Sequence, residues 1–186
     1  MKRLFDFILA LLLTFIMTLP IVIIALLVKL SSPGPVIHWS CRIGKDNCLF
    51  RMPKFRTMHA NAPEVATHLL KNAEKHLTPI GAFLRETSID ELPQLWSVLK
   101  GDMSFVGPRP ALFNQDDLIK LRTDKEISKL LPGITGWAQI NGRDDISITV
   151  KVEYDEYYMK HRSFFFDLKI LWNTIFKVIK KEGVAY

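Results

Sequence analysis

Two adjacent carboxylates, Asp90 and Glu91, have the clearest capacity for chemistry in this sequence, because paired acids can serve as nucleophile, base or metal ligand. A structural role competes with that interpretation. Ser88 and Glu91 have the spacing of a capping box at the start of a helix. Asp90 in the first turn would also interact favourably with the helix dipole. The spacing alone favours capping over catalysis.

Cationic side chains in short segments framed by proline and glycine favour a catalytic role for the acid pair over a capping role. They are Lys54, Arg56, Arg85, Arg109 and Arg143. Forked guanidinium groups suit the oxygens of a diphosphate. Arg109 lies between Pro108 and Pro110, which stiffen the backbone from which its side chain starts. Any one of these cations is typical of a protein surface, but the set together with the carboxylate pair indicates phosphoryl chemistry.

The scaffold for these groups begins with a long apolar segment, Phe7–Val28, interrupted by Thr14, Thr18 and Pro20. Its length is typical of a transmembrane helix. A cleaved signal peptide fits poorly, because the apolar core is too long and the residues that follow lack a small-residue cleavage site. The sequence therefore predicts a membrane helix that the protein keeps.

The course of that helix through the membrane follows from Pro20 and from the flanking charges. Basic residues stand on both sides of the run, including Lys2 and Lys29, and positive charge prefers the cytoplasmic side. Pro20 removes one backbone hydrogen bond and bends the helix. The arms before and after it reach about 20 and 12 Å, and neither crosses a hydrocarbon core of about 30 Å. A re-entrant helix satisfies both observations, and a straight span is the alternative.

The remainder of the chain predicts a mixed, mainly helical domain. A hairpin is expected from Val36–Trp39 and Asn47–Phe55, because a Gly44–Asn47 turn separates them. The segments with helical character are Pro63–His76, Ile89–Leu99, Asn114–Leu130 and Ser147–Lys160. A last helix carries an apolar stripe formed by Leu168, Leu171, Trp172, Ile175, Val178 and Ile179. With lysines off the stripe, it would lie in a membrane interface or pack on the core.

The charge and the residue composition limit the kinds of molecule that this chain is expected to bind. The net charge is +6, and Lys29–Arg56 holds six basic residues against one acidic residue, directly after the apolar run. Anionic lipid headgroups suit that placement. The chain has no RNP, helix-turn-helix or zinc-finger pattern, so a nucleic-acid partner is not expected. The two cysteines, Cys41 and Cys48, indicate a reduced setting rather than a disulfide framework.

Four motifs, in order, carry a specific resemblance. They are Lys54–Met58, Arg85–Gln94, Lys100–Pro110 and Pro132–Arg143. Together they resemble the bacterial sugar transferase family, the monotopic polyprenol phosphate phosphoglycosyl transferases, in its minimal form. The resemblance runs from the N-terminal helix to about Lys180. One position departs from it: the family usually breaks its membrane helix at Ser-Pro, whereas this chain has Leu19-Pro20. Thr18 or another group must then bond the backbone freed by the kink.

The resemblance implies a two-step reaction. Asp90 would attack the β-phosphate of a UDP-sugar to give an aspartyl phosphosugar and UMP. The small form of the family implies that this sugar is an N-acetylated amino sugar of the 6-deoxy type. Polyprenol (undecaprenyl) phosphate would then take the phosphosugar. Glu91 would act as a metal-site carboxylate or as a base, and Mg²⁺ held by Asp90 and Glu91 would offset the diphosphate charge. The implied substrate- and phosphate-binding residues are Lys54, Arg56, Arg85, Arg109, Gln139, Asn141 and Arg143.

The resemblance also implies an α+β, mainly helical architecture at the cytoplasmic face of the bacterial inner membrane. Residues 1–31 would form a re-entrant membrane helix kinked at Pro20, and residues 32–186 a cytosolic catalytic domain with amphipathic interfacial helices. The product would pass to downstream glycosyltransferases for O-antigen, capsule or glycoprotein glycan. Three alternatives stand beside this hypothesis: a membrane scaffold without activity, a membrane-spanning enzyme of the same chemistry, and a UDP-sugar phosphodiesterase.

Overall fold

The computed structural model describes residues 2–59, 61–62, 73–142 and 146–180. Its helices are α1 (Lys2–Ser31), α2 (Gly81–Glu86), α3 (Leu95–Lys100), α4 (Asp116–Asp124), α5 (Trp137–Ile140), α6 (Ile148–His161) and α7 (Phe164–Lys180). Its strands are β1 (Ile37–Ile43), β2 (Leu49–Phe55), β3 (Ser104–Val106) and β4 (Gly133–Thr135). Short 3₁₀ turns occur at Lys45–Asn47, Ala73–His76, Ile89–Gln94 and Ile127–Lys129. The described residues are mainly helical with two small sheets, in agreement with the predicted class.

Helix α1 is the one helix of the described residues that is long and apolar enough to cross a membrane. Its 30 residues span about 45 Å at 1.5 Å per residue. Pro20 lies inside it. The Thr18 hydroxyl donates to the Thr14 carbonyl at 2.8 Å, so it does not serve the Ile16 carbonyl, whose helical donor Pro20 lacks. Of the two possibilities raised from the sequence, Thr18 or another group, the structure does not give the role to Thr18, and compensation by another group stays a prediction.

The N-terminal end of α1 packs on the globular part of the chain. Arg3 donates to the carbonyls of Val98 and Leu99, at 2.5 and 2.8 Å, and so caps the C-terminal end of α3. Lys2 forms a 2.5 Å ion pair with Asp167 of α7. One turn later Asp6, which is buried, accepts a hydrogen bond from Ser104 of β3.

The C-terminal end of α1 is attached to the same globular part. Val28 is fully buried and packs with Phe55 of β2 and Leu84 of α2. Arg56, directly after β2, donates to the Ser32 carbonyl at 2.7 Å and to the Pro33 carbonyl at 2.9 Å. Between these two anchored ends, apolar side chains such as Phe15 and Leu19 are exposed. Both ends of the apolar helix therefore contact one domain.

The hairpin is confirmed. Strands β1 and β2 pair antiparallel, with Ile37 opposite Phe55 and Ile43 opposite Leu49, so β1 extends further than predicted. The second sheet was not predicted: β3 and β4 pair in parallel, with Ser104 opposite Gly133, in segments to which the sequence analysis assigned no strand. Three residues are too few to show a period-two pattern, which explains the omission.

The predicted helices are found in altered form. The predicted Ile89–Leu99 helix divides into a 3₁₀ turn and α3, and the predicted Asn114–Leu130 helix into α4 and a 3₁₀ turn. The predicted Ser147–Lys160 helix is α6, with the Ser147 hydroxyl accepting from the Val150 amide as an N-cap. The predicted Pro63–His76 helix lies mostly outside the described residues.

Helix α7 presents apolar side chains in two directions. Ile170 is fully buried in the main core, with Phe166 and Leu171 packed beside it. On the opposite side Phe165 is 81% exposed and Trp172 62% exposed. Four members of the predicted stripe, Leu168, Trp172, Ile175 and Val178, are exposed large hydrophobic side chains. The stripe therefore lies largely on the outer face of α7, and other residues bind the helix to the core.

Candidate active site

The carboxylate pair lies on the 3₁₀ turn Ile89–Gln94, which leads into α3. The capping box considered from the sequence does not form. Ser88 has φ 55°, in the left-handed region, and makes no capping hydrogen bond through its side chain, whereas an N-cap residue takes extended geometry. Glu91 forms ion pairs instead, so its side chain is not directed back to the Ser88 amide. The structure therefore contradicts the capping explanation.

Lys54, near the end of β2, contacts both acids. Its ammonium donates to Glu91 Oε1 at 2.7 Å and lies 4.0 Å from Asp90 Oδ2. The hairpin places it there, because β2 packs along the turn that carries the acids. The side chain of Lys54 is 16% exposed, and burial lowers its pKa, while the charges of Glu91 and Asp90 act in the opposite direction.

Arg109 approaches Glu91 from the loop that follows β3. Its Nη2 lies 2.6 Å from Glu91 Oε1, and its Nη1 lies 3.5 Å from Glu91 Oε2. This is the two-point contact for which a planar guanidinium is suited. Glu91 is therefore held by two cations from two different elements of the fold.

The two carboxyl groups have opposite electrostatic environments. Burial acts to raise the pKa of Glu91, but the ion pairs and hydrogen bonds with Arg109 and Lys54 outweigh it and hold that pKa well below its usual range. For Asp90, burial raises the pKa, Lys54 partly offsets the rise, and the charge of Glu91 adds to it. Neighbouring carboxyls with divergent pKa values are typical of sites in which the two acids have different tasks.

The carboxylate of Asp90 is held less closely by its neighbours than that of Glu91. Its nearest ion pair is the 4.0 Å contact with Lys54, and no hydrogen bond to its side chain occurs within the described residues. The carboxylate is nearly buried, with 10% of its side chain exposed. A partly desolvated carboxylate beside cations can attack an anionic phosphorus centre, since the cations reduce the repulsion between nucleophile and substrate.

Arg85 and Arg56 differ in what they contact. Arg85, on α2, donates from Nε to the Thr57 hydroxyl at 3.0 Å; burial lowers its pKa and the charge of Asp90 partly offsets that effect. It therefore lies beside the nucleophile candidate. Arg56 is buried and donates to Ser32 and Pro33, which gives it an anchoring contact with the end of α1. Phosphate binding by Arg56 stays a prediction.

Of the three candidates from the fourth motif, the structure describes Gln139 and Asn141, and neither is bonded to the acid pair. Gln139 lies on α5, and neither polar atom of its side-chain amide has a hydrogen-bond partner in the described part of the chain. Asn141 is exposed and donates to the Trp137 carbonyl at 2.8 Å. No hydrogen bond joins Gln139 or Asn141 to Asp90 or Glu91 within the described ranges. Arg143 lies outside the described residues.

The donor set is compatible with magnesium only in part. The described residues contain no group of three or more histidine, cysteine or acidic side chains that could hold a metal. Magnesium is commonly bound by one or two carboxylates together with phosphate oxygens of the substrate. Asp90 offers such a carboxylate, whereas Glu91 would have to release Lys54 or Arg109 to bind an ion. The residues therefore fit magnesium through Asp90 and the diphosphate.

Two arginines near the site were not singled out from the sequence. Arg42 of β1 donates to the Pro110 carbonyl at 3.2 Å, and its charge contributes to lowering the pKa of Lys54. Arg122 of α4 donates to the Arg109 carbonyl at 2.7 Å. Neither arginine lies in a proline- or glycine-framed segment, which was the signal used for the others. The sequence carries no local pattern that would have identified them.

Comparison with known proteins gives a consistent result. The model of the family described as bacterial sugar transferase matches residues 1–181. A Bacillus subtilis protein named uncharacterized sugar transferase EpsL is 44% identical, over 99% of this chain and 90% of its own length. The Escherichia coli UDP-glucose:undecaprenyl-phosphate glucose-1-phosphate transferase is 41% identical, over 95% of this chain and 40% of its own length. An Aeromonas hydrophila UDP-N-acetylgalactosamine-undecaprenyl-phosphate N-acetylgalactosaminephosphotransferase is 38% identical, over 86% of this chain and 39% of its own length. The chain thus spans nearly all of the first relative and about two fifths of the other two.

Proposed function

The chain belongs to the bacterial sugar transferase family, and from that premise we propose that it transfers a sugar phosphate from a UDP-sugar to undecaprenyl phosphate and releases UMP. The membrane-embedded acceptor fits a protein whose first element is a long apolar helix. The observation that supports the chemistry most directly is the asymmetric acid pair: Glu91 is held by Lys54 and Arg109, while Asp90 is left to react.

The proposed reaction has two displacements at one phosphorus atom. An Asp90 carboxylate oxygen bonds to the β-phosphorus of the UDP-sugar, the bond from that phosphorus to the bridging oxygen breaks, and the electron pair leaves with UMP. A phosphate oxygen of undecaprenyl phosphate then bonds to the same phosphorus, and the Asp90 carboxylate leaves. The product is undecaprenyl diphosphate sugar, and Asp90 returns to its starting state.

Glu91 is better suited to organising cations than to accepting a proton. Its pKa is held well below the usual range, and a base is most effective when its pKa is near the working pH. We therefore assign Glu91 the task of orienting Lys54 and Arg109, which would bind the substrate phosphates, in preference to the role of base. When bound, magnesium would neutralise diphosphate charge, with Asp90 as the protein carboxylate available to it.

The donor sugar is proposed to be an N-acetylated amino sugar. The Aeromonas relative is named for N-acetylgalactosamine and the Escherichia coli relative for glucose, so the test must include both kinds. Purified protein in detergent is incubated with undecaprenyl phosphate, magnesium and one UDP-sugar at a time: the N-acetylhexosamines, a 6-deoxy N-acetylated sugar, glucose and galactose. The fastest UMP release is expected with an N-acetylated sugar, and a preference for glucose or galactose would contradict this proposal.

The same assay distinguishes transfer from its alternatives. We expect UMP release to continue over many turnovers only when undecaprenyl phosphate is present, with the sugar phosphate recovered on the lipid. Sustained release without the lipid, together with free sugar phosphate, would identify a phosphodiesterase. No release with any UDP-sugar would favour a scaffold.

We propose that α1 enters and leaves the membrane on the cytoplasmic side of the inner membrane. The support is the attachment of both ends to one domain: Arg3 to the end of α3, and Val28 and Ser32 to Phe55 and Arg56. A helix that crossed the bilayer would separate its ends by about 30 Å of hydrocarbon. The exposed apolar face of α7 would lie in the same interface.

Cysteine labelling in intact cells tests this topology, and the native chain supplies an internal reference. Cys48 is exposed on the hairpin and reports the side on which the domain lies. We expect an impermeant maleimide to leave both Cys48 and an introduced Lys2→Cys unlabelled until the inner membrane is opened. Labelling of position 2 alone in intact cells would demonstrate a full span.

The matched variant for the topology test is Pro20→Ala. Alanine restores a backbone donor for the Ile16 carbonyl and should straighten the helix. We expect part of the Pro20→Ala population to become labelled at position 2 in intact cells while Cys48 stays protected. An unchanged labelling pattern would show that the contacts of the two helix ends, and not Pro20, determine the topology.

A further inference from the structure

The loop that carries Arg109 is held through its carbonyl groups. Pro108 and Pro110 have no backbone N–H, so the loop has few donors of its own. Four successive carbonyls accept hydrogen bonds instead, each from a group outside the loop. The donors are the Gly133 amide to Pro108 at 2.9 Å, Arg122 to Arg109 at 2.7 Å, Arg42 to Pro110 at 3.2 Å and the Ile43 amide to Ala111 at 2.9 Å. The carbonyl of Arg109 itself is the one bonded by Arg122.

Arg122 is fixed in turn by a carboxylate on another helix. Its Nε and Nη2 donate to Asp155 Oδ2 of α6, at 3.0 and 2.6 Å. Both side chains are buried, with 9% of the Arg122 side chain and 1% of the Asp155 side chain exposed. With those two nitrogens held, Nη1 is directed at the Arg109 carbonyl. The α4–α6 contact thereby determines where the backbone of Arg109 lies.

Stability alone does not account for this buried pair. Two charges lose their hydration on burial, and well-packed apolar replacements of similar volume are often neutral or stabilising. An apolar pair could not donate to the Arg109 carbonyl. The feature that distinguishes Arg122 from an apolar residue is therefore the hydrogen bond it makes to the loop.

We propose that Arg122, oriented by Asp155, is a positioning residue for the transfer reaction: it holds the backbone of Arg109 so that the guanidinium of Arg109 engages Glu91. The chain of contacts runs from Asp155 to Arg122, to the Arg109 carbonyl, and from the Arg109 guanidinium to Glu91 Oε1 at 2.6 Å. This inference rests on the proposed function, because the positioned groups are those of its active site.

The first test is kinetic and uses the full chain in detergent or nanodiscs. Arg122→Met combined with Asp155→Leu removes the pair but keeps apolar volume in the core. We expect kcat for UMP release to fall on the order of 10²-fold, the scale of a misplaced catalytic group, with KM for the UDP-sugar changed far less. In an Arg109→Lys background the same pair of changes should add little further loss, because Arg122 acts through Arg109.

The chain offers a matched control between the same two regions. Lys125, directly after α4, forms an ion pair with Glu156 of α6, next to Asp155. Within the described ranges, no hydrogen bond or ion pair joins either side chain to the Arg109 loop. Lys125→Met with Glu156→Gln should leave kcat within twofold of the native value. Should the Arg122→Met/Asp155→Leu protein fail to fold, Arg122→Lys serves in its place, since a lysine keeps the charge beside Asp155 but cannot donate to both partners in fork geometry.

A second readout does not depend on activity. If Arg122 positions Arg109 on Glu91, the loss of thermal stability caused by Glu91→Gln should shrink in the Arg122→Met/Asp155→Leu background and keep its full size in the Lys125→Met/Glu156→Gln background. Fully additive effects in both backgrounds, or an unchanged kcat, would overturn the proposal. Absence of UMP release by the native protein would refute the proposed function alone, and the stability cycle would still decide the positioning.

Discussion

Asp90→Asn is expected to lower turnover by more than about 10³-fold, the scale on which removal of a catalytic nucleophile acts. The amide that replaces the carboxylate is a poor nucleophile, so the first displacement cannot form its covalent product. Glu91 keeps its contacts with Lys54 and Arg109 in this variant, so substrate binding should persist. UMP release with both substrates present measures the effect, and retained binding of the UDP-sugar shows that the site is intact.

The Asp90→Asn protein should be at least as stable as the native one. Burial and the neighbouring Glu91 raise the pKa of Asp90, which means that its ionised form is disfavoured by folding at neutral pH. Removing the charge should therefore leave the unfolding temperature unchanged or higher. If Asp90 served the helix dipole instead, the same change would cost about 0.3–1 kcal/mol and spare activity.

Loss of activity alone does not identify the nucleophile, because Glu91→Gln is also expected to damage turnover. Incubation with UDP-sugar and magnesium in the absence of undecaprenyl phosphate, followed by quenching and mass spectrometry, separates the roles. We expect a phosphosugar adduct on Asp90. An adduct on Glu91 would reverse the assignment, and transfer without any adduct would indicate direct displacement.

Glu91→Gln is expected to destabilise the protein by about 3 kcal/mol, since removing one partner of a buried ion pair leaves uncompensated charge. Here two cations lose their carboxylate, Lys54 at 2.7 Å and Arg109 at 2.6 Å. The estimate is at the low end of the usual range because 26% of the Arg109 side chain is exposed. Denaturant unfolding of the two proteins at pH 7 measures the difference, with Asp90→Asn as the matched control.

The pH dependence of that difference has a definite sign. The folded-state pKa of Glu91 is depressed, so its contribution is fully present above its unfolded pKa of about 4.3 and is lost as pH falls through the folded value. The stabilities of the native protein and of Glu91→Gln should therefore differ by a constant amount near neutrality and converge on acidification below the ordinary glutamate range. A constant difference down to the lowest pH would contradict the ion-pair explanation.

The sequence was informative where a pattern is local. Helix α1, the hairpin and α6 follow from hydrophobic runs, a turn motif and a serine N-cap, which each involve neighbouring residues. The resemblance of the motifs to a known family placed Lys54, Arg109 and the acid pair in one site. It did not predict how the two carboxylates are oriented and paired within that site. The capping box failed because two cations from distant segments offer Glu91 stronger partners than one backbone amide.

The structural features that the sequence did not predict depend on contacts between residues far apart in the chain. Strands β3 and β4 are each three residues long and pair across a long intervening segment, so neither shows a periodic signal. The role of Arg122 depends on Asp155 and on a backbone carbonyl. No spacing rule connects those three groups, because their proximity is created by the packing of α4 on α6.

The anchoring of the N-terminal end of α1 has a consequence for biosynthesis. Lys2 pairs with Asp167, 165 positions further along the chain, and Arg3 bonds carbonyls about 95 positions away. At a translation rate of about 5–20 residues per second, Asp167 is synthesised roughly 8–30 s after Lys2. The first residues of α1 therefore have no docking site while the apolar helix itself is being synthesised, and the Lys2–Asp167 contact can form only after Asp167 has left the ribosome.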